Sequence, residues 1–274
     1  MENLTINDVH GLTVMTVDLV KKVGNKFVRV NNSAAKNVVD LQIGGREVKL
    51  EGDKLLEEPI LKELQKTGYA ILSEETGYIP GKFLPGLLWV VDPLDGSYNF
   101  SRSLGPSMIS VALWNDNEPV LGVLYNLSTK QIIFGGPRIG SHIGSTVMKV
   151  SDRTERGQAT LITGFPSRFP IDDTKVVSEF ATILTTFGKI RMIGSAAASL
   201  SLVATGAADV YAEHNIMFWD VAAGLAIVNG AGGTFQIEGV DLTENIHSEP
   251  CTVVASNNKF DVSVTMFDKM RGLA

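Results

Sequence analysis

Leu87-Leu88-Trp89-Val90-Val91-Asp92-Pro93-Leu94-Asp95-Gly96-Ser97-Tyr98-Asn99-Phe100 is the stretch on which the fold turns. Five consecutive apolar residues suit a strand buried on both faces. The run stops at Asp92-Pro93, so the sequence predicts a buried strand whose carboxyl end meets a site. Asp92 and Asp95 lie three apart with Pro93 fixing the backbone between them, a rigid claw that can aim several oxygens at one point. Hard divalent cations prefer that ligand type. Gly96 and Ser97 then let the chain turn with backbone N–H groups exposed at a helix start, which suits a phosphate. The same residues also make an ordinary Asp-Pro-Gly turn, and the stretch alone leaves both readings open.

Working outward, Met108 to Trp114, Val120 to Tyr125 and Gln131 to Phe134 follow at short spacing and predict an antiparallel meander. Gly136, Gly140 and Gly144 lack the Lys-Ser/Thr of a nucleotide loop, so Phe134 to Gly144 reads as a β-connection. Upstream, Leu12 to Phe27 has helical apolar spacing, and Val38 to Ile43, Gly44-Gly45, Arg46 to Glu51 reads as a hairpin. Asp53 opens a helix to about Leu64, with Pro59 predicting a kink or a late start. Downstream, strands are predicted at Ala159 to Gly164, Lys189 to Ile193, Ala208 to Glu213, Gly233 to Ile237 and Thr252 to Ser256. Helices are predicted at Thr174 to Phe187, Ser195 to Thr205 and Trp219 to Asn229.

The composition bounds the function. The chain has 274 residues, 44% hydrophobic and 20% charged, which excludes a disordered or low-complexity protein. At about 150 residues per domain this is roughly two units or one large one. With 24 Lys+Arg against 30 Asp+Glu the net charge is −6, so the overall field repels polyanions, and neither nucleic acid nor an anionic membrane is an expected partner. A small anionic substrate would need local help, such as metal ions. One cysteine, Cys251, cannot form an intramolecular disulfide, and the expected location is the cytoplasm. Cys251 itself reads as a small buried hydrophobe.

Two further acidic motifs stand out. Ser73-Glu74-Glu75-Thr76-Gly77 puts paired acids after the apolar Ala70-Ile71-Leu72. Such a pair repels itself unless water or a cation intervenes, and taken alone it reads as a solvated loop. In Trp219-Asp220-Val221-Ala222-Ala223-Gly224, Asp220 reads first as a helix cap and second as a metal ligand. His10, His142, His214 and His247 show no ligand spacing.

The glutamate pair, the DPxDG[S/T]xNF stretch and the later WDxAxG occur in the order and approximate spacing of the inositol monophosphatase family, which this chain resembles from Asp53 to about Ser256. That family comprises metal-dependent, lithium-sensitive sugar-phosphate phosphatases, including fructose-1,6-bisphosphatases and nucleotide 3′-phosphatases. SEExG and Ser97 look most like archaeal members that act on both inositol phosphates and fructose bisphosphate. The resemblance implies two or three Mg²⁺ ions, with Mn²⁺ as a substitute. Glu74, Asp92 and the Leu94 carbonyl match the first site, Asp92, Asp95 and Asp220 the second, and Glu74 a weaker third. Asp53 and Ser97 match the pair that orients and deprotonates water, and Glu75 stands just behind the metal shell. Gly96, Gly194, Ser195, Ala196 and Glu213 match substrate positions together with Asp95, Ser97 and Asp220, Glu213 being the acid that binds ring hydroxyls.

The family's VTxxD pattern is replaced here by Val48-Lys49-Leu50-Glu51-Gly52 before Asp53, so Asp40 rivals Asp53. Arg191 and Arg168 are the nearest cations for a second phosphate, although each also reads as plain surface charge. The fold implied is an α+β / α/β layered sandwich of alternating helix and sheet layers. Residues 1–150 form an amino-terminal unit with an antiparallel sheet that carries most metal ligands. Residues 151–274 form a carboxy-terminal unit with a mixed sheet that completes the site. The expected function is Mg²⁺-dependent hydrolysis of a small sugar or polyol monophosphate by a homodimer, inositol monophosphate first and fructose 1,6-bisphosphate second. A nucleotide 3′-phosphatase and a catalytically idle interaction subunit are the rival readings.

Overall fold

The computed structural model describes residues 4–30, 38–42, 47–82, 86–164, 174–242, 249–260 and 262–264. Helix α1 (Ile6–Val30) is longer than its apolar periodicity predicts. Strands β1 (Val38–Gln42) and β2 (Glu47–Leu50) form the predicted antiparallel hairpin, and its Gly44-Gly45 turn lies outside the described residues. Helix α2 (Glu51–Leu64) starts two residues before Asp53 and runs through Pro59. Pro59 removes the N–H that would bond the Leu55 carbonyl, but Leu55 is 57% exposed, so water can satisfy that carbonyl and the helix need not stop.

The central sheet has eight strands in the order β10-β9-β8-β7-β6-β5-β3-β4. They are β3 (Ala70–Ser73), β4 (Gly77–Ile79), β5 (Leu87–Asp95), β6 (Met108–Asn115), β7 (Glu118–Asn126), β8 (Ile132–Gly136), β9 (Gly140–Ile143) and β10 (Thr146–Val147). The predicted meander is β6-β7-β8, continued by a β8–β9 hairpin that carries the glycine-rich stretch. Among the described residues of this sheet only β3 and β5 pair in parallel, with Ser73 opposite Val91, so Glu74 leaves β3 beside Asp92. Strand β5 is buried along its whole length and includes Asp92 to Asp95 on a register shift, rather than ending before them.

The second sheet runs β12-β11-β13-β15-β14, from β11 (Thr160–Ile162), β12 (Lys189–Arg191), β13 (Val210–Ile216), β14 (Thr234–Glu238) and β15 (Cys251–Ser256). It is mixed: β11 is parallel to β12 and β13, and β15 is antiparallel to β13 and β14. Helices α1 and α2 cover one face of the large sheet, burying Val20, Leu56, Ile60 and Leu64 against Trp89 and Val111. Helices α5 (Ala196–Ala204) and α6 (Phe218–Gly230) fill the space between the two sheets, where Leu200, Ala222 and Leu225 meet Trp114 and Leu124 on one side and Tyr211 and Val253 on the other. Helix α4 (Thr174–Thr185) closes the far face with Phe180 and Ile183. The result is a sandwich of alternating helix and sheet layers, α-β-α-β-α, because each sheet is apolar on both faces and must be covered twice.

Candidate active site

Five structural elements deliver acids to one region at the carboxyl ends of β3 and β5. Asp53, at the third position of α2, reaches back to accept the Leu50 N–H at 2.5 Å, which satisfies an orphan donor of the helix start. Its other oxygen lies 3.2 Å from Ser97 Oγ, and Ser97 Oγ lies 2.8 Å from the Leu94 carbonyl. Ser97 opens the short helix α3 (Ser97–Arg102) after Gly96, whose φ of 81° is the left-handed turn that a side chain would strain. Burial pushes Asp53 up to about 7, and the Glu75 charge adds to this, while the Leu50 and Ser97 hydrogen bonds and Lys49 oppose it.

Glu74 follows β3 and donates its backbone N–H to the Val91 carbonyl at 3.1 Å, which sets it beside Asp92. Burial raises its carboxyl to about 8, the Asp53 and Glu75 charges push the same way, and a hydrogen bond with the Asp92 carboxyl and the Lys49 charge work against them. Asp92 accepts the Leu94 N–H at 2.8 Å and is held well above the ordinary carboxylate range by burial, then by Glu74, Asp95 and Asp220. Asp220 sits in the first turn of α6 and accepts the Met217 N–H at 3.3 Å, so it does cap that helix. It too is held high, first by burial and then by Glu74, Asp95 and Glu213. Asp95 is pushed to about 6 by burial, against hydrogen bonds from Ser195, Ala197 and Ala196. Such acids tolerate one another when some are protonated or when a cation lies among them.

The start of α5 differs from expectation. The N–H groups of Ala196 and Ala197 donate to Asp95 at 3.2 and 2.9 Å, and Ser195 Oγ both donates to Asp95 and accepts the Ala198 N–H at 3.1 Å. The helix start is thus capped by an acid from β5, and these N–H groups are already engaged. Gly194 and Ser195 pack against Gly96. Glu213, on β13, is buried and accepts the Tyr211 hydroxyl at 2.9 Å. It also accepts a backbone hydrogen bond from Gly164, and burial raises it to about 7. A Cβ on Gly164 would fall 2.0 Å from Glu213 Oε1, so any larger residue there would displace the Glu213 carboxylate.

Several contributors were invisible in the sequence. Lys49 Nζ pairs with Glu75 Oε2 at 3.0 Å, and although its own burial disfavours the charge, Glu75, Glu74 and Asp53 together hold the ammonium above its usual value. Asn99 donates to the carbonyls of Ile193, Gly194 and Pro106 at 2.8, 3.2 and 3.1 Å, tying α3 to the approach of α5. Glu57, Gly164 and Tyr211 were missed as well. Only Glu57 carried a signal, since it lies four residues after Asp53 and so on the same helical face.

Other candidates fall elsewhere. Asp40 pairs with Lys49 in the β1–β2 hairpin, but its side chain, like Arg168 and His247, lies outside the described residues. Arg191 is exposed and donates to the Ile190 carbonyl. His142 stacks on Phe134, and His214 lies 2.8 Å from Thr252 Oγ1. Cys251 is buried, donates to the Ile216 carbonyl, and has its thiol pushed far up by burial. Among the described residues no three His, Cys, Asp or Glu side chains close around one point as a ready-made metal cage. What is present is a set of hard oxygen donors in mutual electrostatic contact.

Residues 8–261 match the model of the inositol monophosphatase family. A protein named Nus factor SuhB from Xylella fastidiosa is 30% identical over 249 residues, covering 89% of each chain. An inositol-1-monophosphatase from Synechocystis is 33% identical over 204 residues, covering 72% of this chain and 69% of that one. Among solved structures, the extragenic suppressor protein suhB of Bartonella henselae superposes with a TM-score of 0.78 at 26% identity, over 96% of this chain and 98% of the other.

Proposed function

The chain belongs to the inositol monophosphatase family, and on that premise we propose that it is a Mg²⁺-dependent phosphatase of small sugar or polyol monophosphates, inositol monophosphate first. The observation that carries this reading is the cluster Glu74, Asp92, Asp95 and Asp220, in which burial raises every carboxyl and the charges of Glu74 and Asp95 raise Asp92 and Asp220 further. Asp95 and Asp220 cap helix starts, but gathering four acids in one place costs stability beyond what those caps return. The donor set fits a hard cation: all its atoms are oxygens, and the repulsion among them is what a divalent charge would relieve. Glu74, Asp92 and the Leu94 carbonyl would hold one ion, and Asp92, Asp95 and Asp220 a second, with Glu74 left for a weaker third and Mn²⁺ able to replace Mg²⁺. When bound, these ions supply positive charge to the phosphate oxygens and the leaving oxygen and make water more acidic.

The chain's own residues supply the rest. Asp53, with an acidity near 7, is poised to take a proton at neutral pH. Its oxygen 3.2 Å from Ser97 Oγ lets that hydroxyl accept a proton from water while passing its own to Asp53. Serine in place of the family's threonine keeps this hydroxyl. Glu213 faces the same region, and its carboxyl, fixed by Tyr211 and Gly164, suits the vicinal hydroxyls of a polyol. Gly96, Gly194, Ser195 and Ala196 would line the phosphate side, with Asp95 yielding N–H groups that it now holds. In this reading residues 1–150 bring most metal ligands, residues 151–274 complete the substrate side, and the protein works in the cytoplasm as a homodimer.

Fructose 1,6-bisphosphate is the second substrate, either as an alternative or within a dual-specificity enzyme, and a nucleotide 3′-phosphate is third. An idle interaction subunit is the rival of a different class, and a relative named Nus factor keeps it in view. Retention of all four acids favours the enzyme. The test is phosphate release with Mg²⁺ from inositol 1-phosphate, fructose 1,6-bisphosphate and 3′-phosphoadenosine 5′-phosphate, each with and without EDTA. EDTA-sensitive turnover of inositol 1-phosphate is the expected result. Silence on all three from protein that binds Mg²⁺ would pass the reading to an untested sugar phosphate or to the interaction subunit.

A further inference from the structure

Glu57 is a buried glutamate with no ion pair among the described residues, yet it has three donors, all from the turn that carries Glu74 and Glu75. Ser73 Oγ and the Thr76 N–H, the latter at 3.0 Å, both donate to Oε1, and Thr76 Oγ1 donates to Oε2 at 2.8 Å. The two partners flank the glutamate pair on either side. Glu57 is one helical turn beyond Asp53 on α2, so both carboxylates project from one face of one rigid element. A cleft of about 470 Å³ lies beside the turn, with Glu57, Glu75 and Thr76 on its wall together with Lys54, Glu58 and Lys62. Lys49 pairs with Glu75 but belongs to the hairpin, and the Glu74 N–H bonds β5. Among the described residues, Glu57 makes the hydrogen bonds that join the turn to the helix of Asp53.

We infer that Glu57 is a positioning residue. It fixes the spacing between Asp53, which takes the proton, and Glu74, which faces the cation, by clamping the residues on both sides of Glu74 to α2. This rests on the proposed phosphatase reading for its consequence, though not for its geometry. Charge-assisted hydrogen bonds to a buried carboxylate are well suited to the task, because their directions are set and water is excluded. A slip of about 1 Å in such a pair can cost on the order of 100-fold in rate.

Glu57→Gln and Glu57→Ala separate positioning from charge. Glutamine Oε1 can still accept from Ser73 and from the Thr76 N–H, while its Nε2 donates to Thr76 Oγ1, whose hydroxyl turns to accept. All three contacts survive and the charge goes. Alanine removes all three. Two readouts apply to folded protein at low temperature: amide hydrogen exchange at Glu74 to Thr76 without metal, and Mn²⁺ affinity by electron paramagnetic resonance. Glu57→Ala should speed Thr76 exchange at least tenfold and weaken Mn²⁺ binding by roughly 10- to 100-fold, with kcat falling and KM nearly constant. Glu57→Gln should stay within about threefold of the native protein on every readout. Ser73→Ala, which removes one contact and threatens folding least, should fall between them.

Native exchange and native Mn²⁺ affinity in Glu57→Ala would overturn the inference. Failure of Glu57→Gln as severe as that of Glu57→Ala would also overturn it, because charge would then be the role. Should Glu57→Ala not fold, Ser73→Ala decides alone: unchanged exchange at Thr76 and unchanged Mn²⁺ affinity refute the clamp. If the native protein hydrolyses no phosphate ester while exchange and Mn²⁺ affinity follow Glu57 as expected, the phosphatase reading fails and the clamp stands.

Discussion

Two buried aspartates in this molecule live under opposite rules. Asp209 precedes β13 and has a donor for each oxygen: Ser151 Oγ on one, and on the other the Thr160 N–H at 2.7 Å with Arg153 Nε at 3.4 Å. Asn257 extends the knot by donating to Ser151 Oγ and the Arg153 carbonyl at 2.7 and 2.9 Å. Asp92, at the end of β5, accepts the Leu94 N–H and otherwise meets acids: Glu74, Asp95 and Asp220. The first arrangement satisfies a buried charge and ties β11, β13 and β15 together, which is what a structural carboxylate does. The second leaves like charges to oppose one another. Natural folds retain such conflict where another charge is meant to enter.

The contrast predicts opposite mutational signatures. Asp92→Asn keeps the acceptor for Leu94 and gives Glu74 a donor, so the fold should survive and the metal-free protein should gain stability at alkaline pH. Turnover should fall by at least about 1,000-fold, since one ligand would be lost to both ions. Full activity in Asp92→Asn would remove the site from this region. Asp95→Asn is a poorer probe, because its new amide would face the Ala196 and Ala197 N–H groups or Ser195. At the other pole, Asp209→Ala strands the Thr160 N–H and the Ser151 hydroxyl and should cost about 2–4 kcal/mol of stability. Its kcat, measured well below the melting temperature, should stay within about twofold. Denaturant melts and turnover on the same samples decide both cases.

Proton linkage offers a test without mutation. Glu74, Glu213, Asp53 and Asp95 hold their protons up to about 8, 7, 7 and 6 when folded, against about 4 in an unfolded chain. Across that window the folded metal-free protein binds more protons than the unfolded one, so its stability must fall as pH rises. The contribution is present in full below about pH 4 and is lost as pH passes through roughly 6 to 8. Glu213 alone, raised from 4.5 to about 7 at about 1.4 kcal/mol per pH unit, accounts for roughly 3 to 4 kcal/mol. Melting temperatures with EDTA should therefore drop by several degrees between about pH 5 and pH 8.5, and Mg²⁺ should restore the alkaline values. A flat profile with EDTA would mean that the acids are not in conflict.

The same contrast explains what was legible in the sequence. The run Leu87 to Val91 announced β5 because continuous apolarity is local, and the small-residue pattern of Trp219 to Gly224 announced α6. Family spacing singled out Glu74, Asp92, Asp95 and Asp220, and the fold sets them within electrostatic reach of one another without closing them into a metal cage among the described residues. What stayed hidden is pairwise and distant: Glu57 with Thr76, Lys49 with Glu75, Asn99 with Ile193 across 94 residues. A lone polar residue reports its own preference for water and nothing of its partner. At Pro59 the late start did not materialise, since α2 already begins at Glu51, and the cost of a proline inside a helix depends on whether the deprived Leu55 carbonyl can reach solvent, which composition does not encode.

Tyr211 brings both rules into one side chain and gives the smallest predicted effect. Its hydroxyl is fully buried and donates to Glu213 Oε2 at 2.9 Å, while Gly164 supplies a backbone donor. Glu213 is therefore half satisfied in the manner of Asp209 and half exposed to the fields of Asp95 and Asp220, as Asp92 is. Tyr211→Phe keeps the ring and its packing and removes one donor. Glu213 should then hold its proton to a higher pH, and its carboxylate should be free to turn. If Glu213 orients ring hydroxyls, KM for inositol 1-phosphate should rise by about three- to tenfold, the worth of one hydrogen bond. Hydrolysis of p-nitrophenyl phosphate, which has no such hydroxyls, should be unchanged. Equal losses on both substrates would place Tyr211 with the structural residues, and no loss on either would take Glu213 out of the substrate site.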